Sequence, residues 1–151
     1  MNDRLVRFCA TFFHIGDIPV VPGSVASAAA LLVAFLVAPW PWLYVAVGAF
    51  FTAVGFLTAG RAEELIGRKD PGSVVIDEAA GIMISFLFLP MTAPVMWAGF
   101  FLFRAFDMFK IYPANKFEAR GGAAGIMLDD IMAGIYTNIV LQIAVRLIGI
   151  A

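Results

Sequence analysis

Five carboxylates stand at the edges of very apolar runs: Asp77 with Glu78, Asp107, and Asp129 with Asp130. An ionised acid in apolar surroundings is costly and is usually there for function. Left alone, five such groups on one face would repel one another strongly at low dielectric. A hard divalent cation removes that conflict, and oxygen ligands shared with water and phosphate are what Mg²⁺ favours. Adjacent acids on a helix point about 100° apart, so one of each pair can ligate metal while its neighbour orients water or a base. Arg104, Asp107 and Lys110 follow at i, i+3 steps, a basic, acidic, basic ribbon suited to a site holding metal and phosphate together. Two further elements are compatible with phosphate. Pro22-Gly23-Ser24 precedes an apolar run, with Ser27 a turn later, and places backbone N–H groups of a helix start and two hydroxyls within reach of an oxyanion. Ser24 as a plain N-cap is the simpler reading of that serine. Gly121, Gly122 and Gly125 precede Asp129 and expose backbone donors without side-chain obstruction.

The elements that must position these groups are membrane helices. The chain has 151 residues, 62% hydrophobic and 14% charged, with mean hydropathy +0.94, which predicts an integral membrane protein rather than an ordinary globular domain. That length allows about five spans with short connections in one domain over residues 1–151 and leaves no room for a separate soluble catalytic domain. The expected fold is all-α: a helical bundle of about five transmembrane helices with an N-terminal interfacial helix. A net charge of -1 points to no nucleic-acid partner, and nothing calls for an obligate protein partner. The single Cys9 excludes an internal disulfide and lacks the following Arg of a cysteine phosphatase. With His14 as the lone histidine, zinc is not the expected metal.

The interfacial helix is expected over Asp3 to Phe13, where apolar residues recur at helical spacing. A first span, Ser24 to Ala38, covers only about 22 Å of a roughly 30 Å hydrocarbon core. A second runs from about Leu43 to Ala59 and continues into a charged extension reaching Asp70. The third starts near Val75, carries Asp77 and Glu78 in its first turns and ends at Pro90. The fourth covers about Ala93 to Phe109. The fifth, Ile131 to Ile150, places Asp129 and Asp130 near its N-terminus, where the helix dipole favours anions. Asn138 and Gln142 within it are expected to make interhelical hydrogen bonds. Arg4, Arg7, Arg61, Arg68, Lys69, Lys110, Lys116 and Arg120 all fall on one side of this arrangement, which makes that side and the N-terminus cytoplasmic. All five carboxylates then lie at cytoplasmic helix ends, and the short first and third spans set the site slightly below the membrane surface.

These residues resemble the phosphatidylglycerophosphatase A family of bacterial membrane lipid phosphatases. Pro22-Gly23-Ser24 with Ser27 is similar to its P-G-T/S element. Asp70 to Gly81, DPGSVVIDEAAG, resembles D-x-x-S-I/V-V-x-D-E-x-x-G; Phe103 to Lys110, FRAFDMFK, resembles F-R-x-x-D-x-x-K; Gly125 to Gly134 resembles G-I-M-x-D-D-x-x-A-G. Ala26, Ile111 and Ala123 depart from the pattern, and none of them removes an ionisable group. The resemblance implies Mg²⁺-dependent hydrolysis of phosphatidylglycerophosphate to phosphatidylglycerol and phosphate at the cytoplasmic face of the bacterial inner membrane. It makes Asp77, Glu78, Asp107, Asp129 and Asp130 the metal and catalytic candidates, and Arg104 and Lys110 the groups that stabilise phosphate charge.

The attacking group is either water with a carboxylate as base or a carboxylate that forms an aspartyl phosphate. The D-x-D signature of soluble aspartate phosphatases is absent, which favours water. Two rivals share some of these features. A small cation transporter would use intramembrane acids, but along a path between both faces. A CDP-alcohol phosphatidyltransferase would carry a D-G-x-x-A-R element that this chain lacks.

Overall fold

A computed structural model describes residues 1–150. It is all-helical, with seven α-helices and no strand among the described residues: α1 (Asp3–Ala10), α2 (Pro22–Val37), α3 (Pro41–Ile66), α4 (Ile76–Ser85), α5 (Ala93–Phe109), α6 (Ala114–Arg120) and α7 (Gly122–Ile143). Prolines open α2, α3 and α5, where the missing N–H costs nothing. Two helices, Pro41–Ile66 and Gly122–Ile148 with the π turn included, are long and apolar enough to cross a membrane.

The bundle is built around a short helix. α4 has ten residues, about 15 Å of helix, and eight of the ten are buried. It packs against α2, α3, α5 and α7. The third predicted span therefore ends sooner than its hydropathy indicates: the helix stops at Ser85 and tight turns carry the chain to Leu89, with Phe88 at φ +58°. A helix ending inside a bundle leaves carbonyls without intrahelical partners. Side chains from its neighbours donate to them. Tyr44 Oη donates to the Met83 carbonyl at 2.8 Å, Asn138 Nδ2 to those of Ser85 and Leu87 at 3.1 and 3.0 Å, and Gln142 Nε2 to Leu87 at 3.2 Å. The interhelical role expected of Asn138 and Gln142 is this one.

α4 and α7 cross where both lack side chains. A β-carbon on Gly134 would lie 2.5 Å from the Gly81 carbonyl oxygen, so the backbones touch and the acids on the two helices come level. At one end of the bundle, Arg61 of α3 pairs with Asp3 of α1 at 3.5 Å, and Lys69 donates to the Ala119 carbonyl of α6 at 3.3 Å. Arg61 and Lys69 thus tie α1, α3 with its following loop, and α6 together at that end.

Other boundaries differ from expectation in instructive ways. α1 stops at Ala10 because Phe12, Phe13 and His14 take left-handed φ values of 48°, 58° and 67°. α3 runs on into its charged extension only as far as Ile66, where Gly67 ends it at φ 70°, and Arg68, Lys69 and Asp70 lie in the loop beyond. α7 begins at Gly122 rather than Ile131, which puts Asp129 and Asp130 two turns inside it, beyond the reach of the N-terminal dipole. The N-terminal loop turns back on the approach to α4: the Val75 N–H donates to the Ala10 carbonyl at 3.0 Å, and Arg7 and His14 both hold Asp17, at 3.0 and 2.8 Å.

Candidate active site

Asp77 and Glu78 occupy the first turn of α4, a position the helix dipole favours for acids. The crossing at Gly81 and Gly134 sets Asp77 against Asp129 and Asp130. Each of the three offers one carboxylate oxygen within 4.8 Å of the other two, and the residues are 7%, 5% and 2% exposed. Asp77 Oδ1 and Asp130 Oδ2 are buried and have no hydrogen-bond partner. Carboxylates held this close, this dry and with free lone pairs form a set able to ligate a hard divalent cation.

The remaining two predicted metal ligands lie in a different pairing. Asp107 Oδ2 is 2.7 Å from Arg104 Nη1, and Glu78 Oε1 is 3.7 Å from the same nitrogen. The five-acid set therefore divides into three carboxylates in mutual reach and two bound up with a guanidinium. Glu78 Oε2 is nonetheless buried without a partner. Gly23, at the start of α2, leaves room for this arrangement: a β-carbon there would collide with Glu78 Oε1 and lie 3.4 Å from Arg104 Nη1.

Lys110 joins the groups from the other direction. It ends α5 in a left-handed conformation, φ 46°, which turns its side chain out of the Arg104–Asp107 ribbon. Its Nζ lies 2.9 Å from Asp129 Oδ2, 2.9 Å from Glu118 Oε1 and 4.0 Å from Asp70 Oδ2. Burial alone would weaken the ammonium, but the hydrogen bonds it donates to Glu118 and Asp129 raise its pKa above the ordinary lysine value, so it stays charged. Asp70 is shifted up, chiefly by burial and against the pull of Lys110.

The expected phosphate donors on the glycine-rich stretch are not free. The Gly122 N–H donates to Glu63 Oε2 at 2.8 Å, and the Gly125 N–H donates to the Gly121 carbonyl at 3.2 Å. Gly125 packs instead: a β-carbon there would sit 3.0 Å from the Phe117 carbonyl. Ser24 is an internal residue of the first turn of α2, whose N-cap is Val21, so it is not the N-cap. The Ser27 hydroxyl is buried and donates to the Gly23 carbonyl at 2.8 Å.

Three site-supporting acids escaped the sequence reading. Glu118 and Asp70 hold Lys110, and Glu63 accepts from Asp70 N–H at 2.9 Å as well as from Gly122, tying α3, the following loop and α7 together. Glu63 carried one usable signal. An acid near a helix C-terminus opposes the dipole and calls for a partner elsewhere.

The family model of Phosphatidylglycerophosphatase A matches residues 8–145, nearly the whole chain and every group just described. The chain belongs to that family. Relatives agree. A phosphatidylglycerophosphatase A of Escherichia coli is 38% identical over 130 residues, 83% of this chain and 75% of the relative. One from Haemophilus influenzae is 32% identical over 142 residues, 90% and 86% of the two chains. A Bacteroides thetaiotaomicron protein, named provisionally as a phosphatidylinositol-3-phosphatase, is 33% identical over 148 residues and covers 92% of both. No solved structure matches significantly. Membership in this family makes the protein a phosphatase.

Proposed function

We propose that the protein is a Mg²⁺-dependent lipid phosphatase that hydrolyses phosphatidylglycerophosphate to phosphatidylglycerol and inorganic phosphate at the cytoplasmic face of a bacterial inner membrane. The observation that carries this reading is the cluster of Asp77, Asp129 and Asp130, with buried unpartnered oxygens, where Lys110 binds Asp129 and Arg104 holds the neighbouring acids Asp107 and Glu78. In this reading α2, α3, α5 and α7 cross the bilayer, α4 with its terminal turns makes the fifth passage, and α1 lies in the interface. Leu87 and Phe88 line one small cavity with Ala38 and Pro41, so the turns after α4 lie at the same end as the α2–α3 turn.

The fit to Mg²⁺ rests on the donor set: three close carboxylates, two of them with an unpartnered oxygen. When bound, the ion supplies charge neutralisation at a phosphate oxygen. The chain's own residues supply the rest. Arg104 and Lys110 bind the remaining phosphate oxygens and hold the monoester in line for attack. A carboxylate of the cluster takes the proton of an attacking water and returns it to the departing lipid oxygen as the ester P–O bond breaks. Apolar walls around α4 keep bulk water from the acids, which strengthens each of these interactions.

The test is phosphate release from phosphatidylglycerophosphate with and without Mg²⁺, comparing wild type with Asp129→Asn and Asp130→Asn. Full activity in both variants, or activity indifferent to Mg²⁺ after chelation, would overturn the assignment. The Bacteroides relative favours a second substrate, phosphatidylinositol 3-phosphate, and the same assay run on that lipid separates the two. A cation transporter draws no support: the acids gather at one end of the bundle instead of forming a path through it.

A further inference from the structure

We infer that the cleft between α2 and α5 is a slot for an acyl chain of the phosphomonoester lipid, running from the carboxylate site along the two helices. This rests on the lipid-phosphatase reading and adds where the chain of that lipid lies. The two helices are antiparallel: Gly23 of α2 faces Arg104 of α5 at one end, while Phe35 lies with Ala93 and Met91 at the other. Between them runs a groove of about 390 Å³ lined by Ala28, Leu31 and Phe35 on one side and Ala93, Trp97 and Phe100 on the other, with no charged residue.

The lining follows from helical spacing. Ser24, Ala28, Leu31 and Phe35 form an i, i+4, i+7, i+11 stripe on α2, and Ala93, Trp97, Phe100 and Arg104 form its counterpart on α5. Each stripe is polar at the end beside Glu78 and apolar over the remainder. A different face of α2, with Ala26, Ser27, Ala30 and Ala34, is fully buried, so the groove is a separate surface and not a defect in the core. Eleven residues correspond to about 16 Å, enough to hold much of an extended acyl chain. An amphiphile with a phosphomonoester head matches this sequence of surfaces: its anionic end at Arg104 and an apolar tail away from it. Gly23 lets Glu78 and Arg104 pack directly against the start of α2, so the polar pair stands at the head of the two stripes.

The test varies chain length against position in the slot. The dioleoyl and dihexanoyl forms of phosphatidylglycerophosphate are assayed in detergent with wild type, Ala93→Phe at the far end, and Leu32→Phe on α2 outside the groove. Leu32 and Ala93 are both exposed, so both variants are expected to fold. The slot predicts that Ala93→Phe raises KM for the dioleoyl lipid about tenfold while the dihexanoyl lipid stays within about twofold, because only the long chain reaches that depth. Leu32→Phe should change neither. Equal effects on both lipids, or none on either, would overturn the slot. Failure of the wild type to release phosphate from both lipids would overturn the phosphatase reading itself.

Discussion

The two ends of α4 are made of the same short helix and are treated in opposite ways. At its C-terminal end Tyr44, Asn138 and Gln142 donate to the carbonyls of Met83, Ser85 and Leu87, although the helix stops inside the bundle. At its N-terminal end Asp77 Oδ1 and Glu78 Oε2 are buried with no partner, and Asp130 Oδ2 across the helix crossing is equally bare. A protein able to satisfy one end with three side chains from two helices has the means to satisfy the other. Leaving carboxylates bare costs stability and is sustained by a use for their lone pairs. The finished end positions the unfinished one: with its carbonyls capped, α4 can be short, and a short α4 brings its first turn level with the middle of α7.

The contrast predicts that substitutions at the two ends separate activity from stability. The largest effect is expected for Asp77→Asn, with phosphate release falling ~10²-fold or more while the unfolding temperature in detergent holds or rises, since one of three close like charges is gone. A matching loss of stability would remove the distinction. Asn138→Leu should do the reverse, costing about 1–3 kcal/mol by denaturation because the buried Ser85 carbonyl loses its donor and Leu87 keeps only Gln142, with activity per folded molecule largely kept. Tyr44→Phe, which frees one carbonyl, should cost about 1 kcal/mol.

The smallest effect concerns the loop that seats the start of α4. Hydrogen bonds from His14 and then Arg7 hold the Asp17 carboxyl below its usual range. A depressed folded pKa contributes stability above about pH 4 that is lost as the pH falls through the folded value. The pair is exposed, so Asp17→Asn should remove only a few tenths of a kcal/mol, and the unfolding midpoint of the variant should change less than that of wild type between about pH 5 and pH 2.

Local rules in the chain carried a large part of this structure. Pro94 and the apolar run after it define α5 over the expected Ala93–Phe109, and the i, i+3 spacing of Arg104 and Asp107 yields the observed ion pair. Asn138 and Gln142 were legible as interhelical donors because an amide among apolar residues must find a partner. Glycines misled. Gly121 to Gly125 read as a donor-bearing loop, yet Gly122 opens α7 with its N–H on Glu63, a residue 59 positions away. Similarly, Lys110 read as a member of the α5 ribbon, whereas its left-handed backbone delivers it to Glu118 and Asp129.

By itself the sequence determined the all-helical class and the family, because these depend on composition, on periodicity and on motifs of neighbouring residues. Only the tertiary structure decided which three carboxylates stand together, which two are held by Arg104, and which cation faces which group. Those relations depend on the contact of Gly81 with Gly134 and on a helix end capped from α3 and α7. Contacts between residues some 50 positions apart leave no periodic trace in the chain that makes them.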